Sequence, residues 1–260
     1  MNRLRGGGAA LRGAGAVARI SGLTLIAGLL GLALTGCNAT SSTSPATASA
    51  SPGLSIPGTH RSTSEYRISS PVSAVIVISH AGNVTVTGGG GSATSVVQQL
   101  TYSKTPPVTT RTVSGGTLTV TYSCPVQLVC GVGYVVQVPR DAAVQVTAGA
   151  GAIRLSGLAG NVTAKADVGL IDATGLTGAS VSLTTEAGGI TAAFAAPPTT
   201  VQAVARVGAI TLRVPGGVSY RVTADAHVGK ATVSIPQSSS SAHVITATTD
   251  VGAITVGPAA

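Results

Sequence analysis

The residues of this chain that could do chemistry are three cysteines, four histidines and seven carboxylates, a small set for 260 residues. The carboxylates are Glu65, Asp141, Asp167, Asp172, Glu186, Asp225 and Asp250. Glycoside hydrolysis needs two of them in register across a cleft, and the best pair, Asp172 and Glu186, occupies different positions of the repeat described below. No G-x-S-x-G elbow occurs. The Gly88–Gly91 run is followed by no lysine, so it reads as a turn and not a phosphate loop. His60, His80, His227 and His243 are scattered, so a metal site is not expected. Asp167, Glu186, Arg206, His227 and Asp250 do fall in one column, each two positions before a recurring glycine. Their mixed signs read as a solvated edge with surface pairs, Glu186 with Arg206 and His227 with Asp250. A weak cation site at Asp167 and Glu186 is the sharper reading, but calcium-binding repeats carry an Asp in nearly every turn. The expectation is a protein that is not an enzyme and needs no cofactor.

Cys37 has a different context. Arg3, Arg5, Arg12 and Arg19 precede a stretch from Ile20 to Ala33 that is apolar apart from Ser21 and Thr24. Its 14 residues fall short of the roughly 20 that span a bilayer, and match the apolar region of a signal peptide. Leu34-Thr35-Gly36-Cys37 follows. This segment resembles the bacterial lipobox, which implies a signal peptide over 1–36, lipidation of Cys37 and a place on the outer side of the cell membrane. Two or more acyl chains anchor stably at ~0.8 kcal/mol per buried methylene. Outside the cytoplasm, Cys124 and Cys130 read as a disulfide, which leaves no odd thiol.

The signal segment holds four of the 15 Lys and Arg and none of the 7 Asp and Glu, so the remaining chain carries 11 cations against 7 acids, +4 in place of +8. Lys104, Lys165 and Lys230 are isolated, and there is no Trp. Nucleic acid is therefore not an expected partner; the residual positive charge suits an anionic envelope polymer weakly. Ser, Thr, Ala and Pro dominate residues 38–64. Such a segment buries too little to offset its ordering entropy, so residues 37–66 read as a lipidated, disordered tether.

What must position any surface chemistry is a repeat over 67–258. Count from Gly82, Gly151, Gly169, Gly188, Gly208, Gly229 and Gly252. Seven positions before each stands Val75, Val144, Val162, Val181, Val201, Val222 or Ile245, and five before stands Val77, Val146, Ala164, Leu183, Ala203, Ala224 or Ala247. One before stands Ala81, Ala150, Val168, Ala187, Val207, Val228 or Val251, and two after stands Val84, Ile153, Ile171, Ile190, Ile210, Ala231 or Ile254. Period-2 alternation that changes parity at a glycine predicts strand, glycine turn, strand in each unit. All four columns are expected to face inward. The last six glycines are 18, 19, 20, 21 and 23 residues apart, with the extra length in the loop after the second strand.

An all-β fold follows. A β-solenoid of about seven such units is preferred, because inner columns of Val and Ala suit a narrow core; it would stack Val162, Val181, Val201 and Val222 in one row. The alternative is an antiparallel meander or sandwich with a hairpin at each glycine. Residues 92–139 break the repeat and read as an excursion of hairpins, turning at Ser114-Gly115-Gly116 and closed by the Cys124–Cys130 bond.

Val168-Gly169-Leu170-Ile171, Val207-Gly208-Ala209-Ile210 and Val251-Gly252-Ala253-Ile254 resemble the units of the bacterial putative-adhesin domains of unknown function, which are built from β-strand repeats. The resemblance implies a repetitive all-β envelope domain and no catalytic residues. Three positions after the glycine, Thr191, Thr211, Thr232 and Thr255 form a ladder over four successive units. It reads either as plain β-propensity on an outer face or as a hydroxyl array for a repetitive ligand such as a glycan. The expected function is a non-enzymatic, lipid-anchored surface scaffold or adhesin-like module, whose partner is an envelope polymer or surface protein. The alternatives are a glycan- or small-ligand-binding lipoprotein and, behind it, a polysaccharide-active enzyme. The oligomeric state is open.

Overall fold

The computed structural model describes residues 58–89 and 91–259. The expected signal peptide, Cys37 and the tether up to residue 57 lie outside the described residues. All described regular structure is β. In chain order the strands are β1 (His60–Ile68), β2 (Ala74–Ala81), β3 (Val84–Gly89), β4 (Thr94–Tyr102), β5 (Val108–Ser114), β6 (Thr117–Ser123) and β7 (Cys130–Pro139). Six glycine units then supply two strands each: β8 (Ala143–Ala150) and β9 (Ile153–Ser156), β10 (Val162–Val168) and β11 (Ile171–Leu176), β12 (Ser180–Ala187) and β13 (Ile190–Phe194). The last three units are β14 (Thr200–Val207) and β15 (Ile210–Val214), β16 (Arg221–Val228) and β17 (Ala231–Val233), β18 (Val244–Val251) and β19 (Ile254–Pro258).

The strands before each glycine form one sheet and those after it form a second, with a single apolar core enclosed between them. Both sheets are mixed. Among the glycine units neighbouring strands are parallel and in register: Val144 lies beside Val162, Val162 beside Val181 and Val181 beside Val201. On the other sheet Ile153, Ile171, Ile190 and Ile210 follow one another. Antiparallel pairing is confined to β1–β4–β7 and β5–β6. The units are therefore not joined to one another as hairpins, while the facing of two sheets is sandwich-like.

The alternation of burial follows the sequence closely. In β12, for example, Val181, Leu183 and Thr185 are buried while Ser180, Ser182 and Thr184 are not. The glycine corner itself is the reason the repeat is written as it is. Gly208 has φ +152°, and a Cβ there would meet the carbonyl oxygen of Gly188. The same relation runs through the column: Gly151 lies against Gly82, Gly169 against Gly151, Gly188 against Gly169, Gly252 against Gly208 and Gly229 against Gly252. Positive φ and a backbone neighbour where a side chain would be leave glycine as the residue that fits.

Four expectations are corrected. The column one before the glycine faces outward: Val168, Val207, Val228 and Val251 are 58%, 50%, 63% and 46% exposed. The chain bends from one sheet to the other there, and strict alternation is lost at the bend. The third inward position of the first strand is instead three before the glycine, where Ala148, Ala166, Thr185, Ala205 and Thr249 are buried. Thr185 and Thr249 donate their hydroxyls to the carbonyls of Gly169 and Gly208, 3.2 and 3.0 Å away. Ser79 does the same for Val132 at 3.1 Å. That chemistry explains why this column tolerates polar residues and was not visible as an apolar one.

The spatial order also differs from the chain order. β18 and β19 lie between β14–β15 and β16–β17, so the row runs Val201, Ile245, Val222. The long loop before β18 lets the last unit return to the inner place, where Ile245 is fully buried and Val222 is left half-buried at the end.

Residues 92–139 are less of an excursion than expected. The Ser114-Gly115-Gly116 turn does join the hairpin β5–β6, but β6 and β7 continue the two sheets in parallel beside β2 and β3. They form an eighth unit whose corner is the loop 124–129 in place of a glycine. Lastly, residues 60–66, expected in the tether, belong to a strand. β1 begins at His60 because its backbone is held along β4, with Ser64, Tyr66 and Ile68 turned inward.

Gly208→Ala is expected to destabilise the protein by about 3 kcal/mol or more, since it combines a disfavoured φ with an overlap onto backbone. Val207→Ser beside it, on the exposed column, should cost less than ~1 kcal/mol. Denaturant unfolding of the two variants measures both.

Candidate functional site

The parallel stacking carries the columns of the sequence to the outside of the glycine edge. In spatial order the column two before the glycine reads His80, Gly149, Asp167, Glu186, Arg206, Asp250, His227. Arg206 Nε lies 3.0 Å from Glu186 Oε2. His227 Nδ1 lies 3.1 Å from Asp250 Oδ1, and its Nε2 lies 3.7 Å from Asp225 Oδ2. Both pairs read from the sequence therefore occur. They are solvent-exposed, where such pairs contribute well under ~1 kcal/mol. Among the described residues no group of three or more His, Cys, Asp or Glu could hold a metal. Asp172 and Glu186 stand on opposite sheets, one on β11 and one on β12, so they do not flank one cleft.

The four threonines form an unbroken row. Thr191 lies beside Thr211, Thr211 beside Thr255 and Thr255 beside Thr232. The insertion of the last unit keeps the row intact because its residue at that position is also Thr. Three steps of ~4.8 Å give a hydroxyl line ~14 Å long.

What the sequence reading missed is the apolar ridge between these columns. Val168, Leu170, Val207, Val251 and Val228 are all exposed along the glycine edge. Leu170 reaches over Gly189 of the next unit, its Cδ2 3.4 Å from where a Cβ would stand. At the far end the loop 124–129 adds Val126 and Leu128, the most exposed large apolar residues described. The signal was present as the apolar column one before each glycine, but alternation alone assigned it to the core.

Cys124 and Cys130 are bonded, with Cα atoms 6.0 Å apart. The bond closes the one corner that has no glycine, and so sets where Val126 and Leu128 stand. A recess of about 350 Å³ beside it is lined by Gly82, Asn83, Gln99, Thr101 and Gly131, with no tyrosine. Tyr122, Tyr134 and Tyr220 are buried. The Tyr122 hydroxyl donates to Ala81 O at 2.9 Å and accepts from Ala81 N at 2.6 Å. Burial pushes the Tyr134 phenol up from its usual range. At the opposite margin of the sheets from β16 and β17, Arg111 lies 3.3 Å over the Tyr66 ring. Hydrogen bonds from Ser64 and Arg111 hold the Tyr66 phenol below its usual pKa.

No protein-family model matches the chain, and no curated protein matches it in sequence. Solved structures do. One is a putative cell adhesion protein from Clostridium sporogenes ATCC 15579, at TM-score 0.47 and 10% identity over 76% of this chain and 100% of that one. Another is a putative adhesin from Bacteroides fragilis NCTC 9343, at TM-score 0.47 and 16% identity over 76% of this chain and 97% of the other. A third is a putative adhesin from Parabacteroides distasonis ATCC 8503, at TM-score 0.27 and 10% identity over 76% and 97%.

The disulfide and the surface pairs should differ in weight. Reducing Cys124–Cys130 is expected to cost about 2 kcal/mol, as for a short loop. Glu186→Ala should change stability by less than ~0.5 kcal/mol. Urea unfolding with and without reductant, and of the variant, separates the two.

Proposed function

We propose that this protein is a non-enzymatic, lipid-anchored module of the bacterial cell envelope, with a β-solenoid-like repeat domain that meets its partner along the glycine edge. Cys37 carries the lipid and places the domain on the outer side of the membrane. The partner is a surface protein or envelope polymer, and the role is adhesin-like. The observation that carries this reading is the apolar ridge of Val168, Leu170, Val207, Val251 and Val228, left in solvent beside a fully formed core. Contiguous exposed apolar surface in a soluble domain marks an interaction site more often than an accident of composition. The parallel, in-register pairing of both strands of each unit supports the solenoid description.

A second reading rests on the unbroken row Thr191, Thr211, Thr255, Thr232. A line of hydroxyls at ladder spacing suits an extended glycan, with the apolar ridge as a flank.

The full chain, solubilised in detergent, can be used to capture components of an envelope extract, alongside two variants. One replaces Val168, Val207 and Val251 with Lys; the other replaces Thr191, Thr211 and Thr255 with Ala. A component lost with the first variant and kept by the second supports the ridge. Loss with the second alone moves the site to the threonine row. Capture that neither variant alters removes the glycine edge from the function. Cys37→Ser is expected to leave the chain unprocessed or release it from membranes; unchanged membrane association and mass would contradict the anchor.

A further inference from the structure

Both sheets end together at the same unit, and that end is open. β16 is the last strand of one sheet and β17 the last of the other. Arg221 N–H donates to His243 O at 2.8 Å, so the alternate residues Val222, Ala224 and Ala226 turn their amides to the free edge. Ile254 N–H donates to Lys230 O and Ser234 N–H to Val256 O, which leaves Ala231 and Val233 facing the free edge of β17. Of these, Val222, Ala224, Ala226 and Val233 pack against the core and are only half-buried, while Ala231 is exposed. The other end is closed differently: Arg111 covers Tyr66 there, and β1 carries His60, Arg61, Glu65 and Arg67. β16 also carries charge on its outer face, at Arg221, Asp225 and His227, but its inward residues are apolar and only half-buried.

The open stretch of β16 has definite limits. On one side Gln237 bridges to Tyr220, with Tyr220 N–H donating to Pro236 O and Ser238 N–H to Tyr220 O. On the other side the chain turns at Gly229. The free residues run from Val222 to Ala226, with Ala224 at their centre. A strand of equal length and opposite direction fits this gap, and a second β16 is such a strand.

We propose that two copies of this chain pair end to end, β16 against β16 and β17 against β17, about a two-fold axis through Ala224 and Val233. The interface is isologous. Val222 then lies opposite Ala226 of the second copy, Ala224 opposite Ala224, and Val233 opposite Val233, so both sheets and the apolar interior run on from one copy into the other. Charge agrees with the reversed direction. Arg221 stands at one end of the free edge, and Asp225, with Asp250 beside His227, stands toward the other. The two-fold sets Arg221 opposite His227 of the second copy, with Asp225 as its diagonal neighbour, within reach of a long side chain. Lys230 lies just past the corner and does not face Arg221 in this arrangement. A recess of about 270 Å³, lined by Tyr220, Arg221, Val222, Gln237, Ser238 and Ser239, remains at the margin. It faces the second copy's Val228, whose side chain is 63% exposed in the single chain.

The test uses the full chain in detergent with single cysteines added. Ala224→Cys, under mild oxidation or a short bis-maleimide, is expected to give a covalent dimer. Val108→Cys, exposed at the other end, should not. Adding Arg221→Asp to Ala224→Cys should weaken association about tenfold, and adding Asp225→Arg as well should restore it. No dimer from Ala224→Cys, equal yield from Val108→Cys, or indifference to the charge variants overturns the proposal. Sedimentation of the unsubstituted chain reads the same equilibrium without any substitution that could disturb folding. A protein mass of one chain at every concentration overturns it; a dimer lost on Val207→Lys but unaffected by Arg221→Asp places the contact on the ridge and overturns it too.

Discussion

Everything in this fold depends on backbone meeting backbone at the glycine corner. At six of the seven glycine corners the carbonyl of the neighbouring glycine occupies the place where a Cβ would stand, and at Gly82 the carbonyl of Val132 does so. That contact fixes the register between units, because a shift by one residue would bring a side chain into the same space. It also fixes the separation of the sheets, since the chain must pass from one to the other within a few residues. The narrow interior that results accepts Val, Ala, Leu and Ile and needs few aromatic residues: one Phe and five Tyr suffice, without Trp. The outward turn of the residue before the glycine is a consequence of the same bend. The same bend accounts for the outward turn of Val168, Val207, Val228 and Val251 but not for their being apolar, which is the part the proposed contact explains.

The two ends of the sheets solve different problems. At one end the corner glycine is absent, and a disulfide performs its task of holding the two strands of a unit together. Antiparallel strands β1, β4 and β5 then cover the last parallel strands. At the other end the chain places its final unit inside the sixth one and leaves the sixth at the margin. The sixth unit is fit for that place: β17 is three residues long, and its interior residues are small. Ile245 of the final unit, larger than the Val222 at the margin and fully buried, would be wasted at an open margin.

Much of the fold was legible because period-2 alternation and a positive-φ glycine are local properties. The strand-turn-strand units, the inward Val and Ile columns, the Ser114-Gly115-Gly116 hairpin turn and the Cys124–Cys130 bond could all be read from residue types and spacing. The order of units could not. Nothing local distinguishes Val222 from Ile245 as the neighbour of Val201; the decision lies in loop length and in which unit better fills a buried place. The inward column three before the glycine was hidden for a related reason. Ser79, Thr185 and Thr249 are polar because they bond a corner carbonyl of the neighbouring unit, and that carbonyl comes close only after stacking. The surface pairs Glu186–Arg206 and His227–Asp250 were legible since each joins neighbours in both chain order and space. The ridge was mistaken for core because an apolar residue at a bend looks, in sequence, like one more step of alternation.

The stacking order is the part of this account on which the surface columns, the ridge and the open end all rest, and crosslinking tests it directly. Gln202 lies beside Thr246 in adjacent parallel strands, whereas Thr223 lies one strand further on, also beside Thr246. Neighbouring strands stand ~4.8 Å apart, within disulfide reach, and strands two apart do not. The double variant Gln202→Cys with Thr246→Cys is therefore predicted to form an internal disulfide on oxidation, and Gln202→Cys with Thr223→Cys to remain reduced. The opposite result, a bond between positions 202 and 223 and none between 202 and 246, would show that the units stack in chain order and would contradict the account.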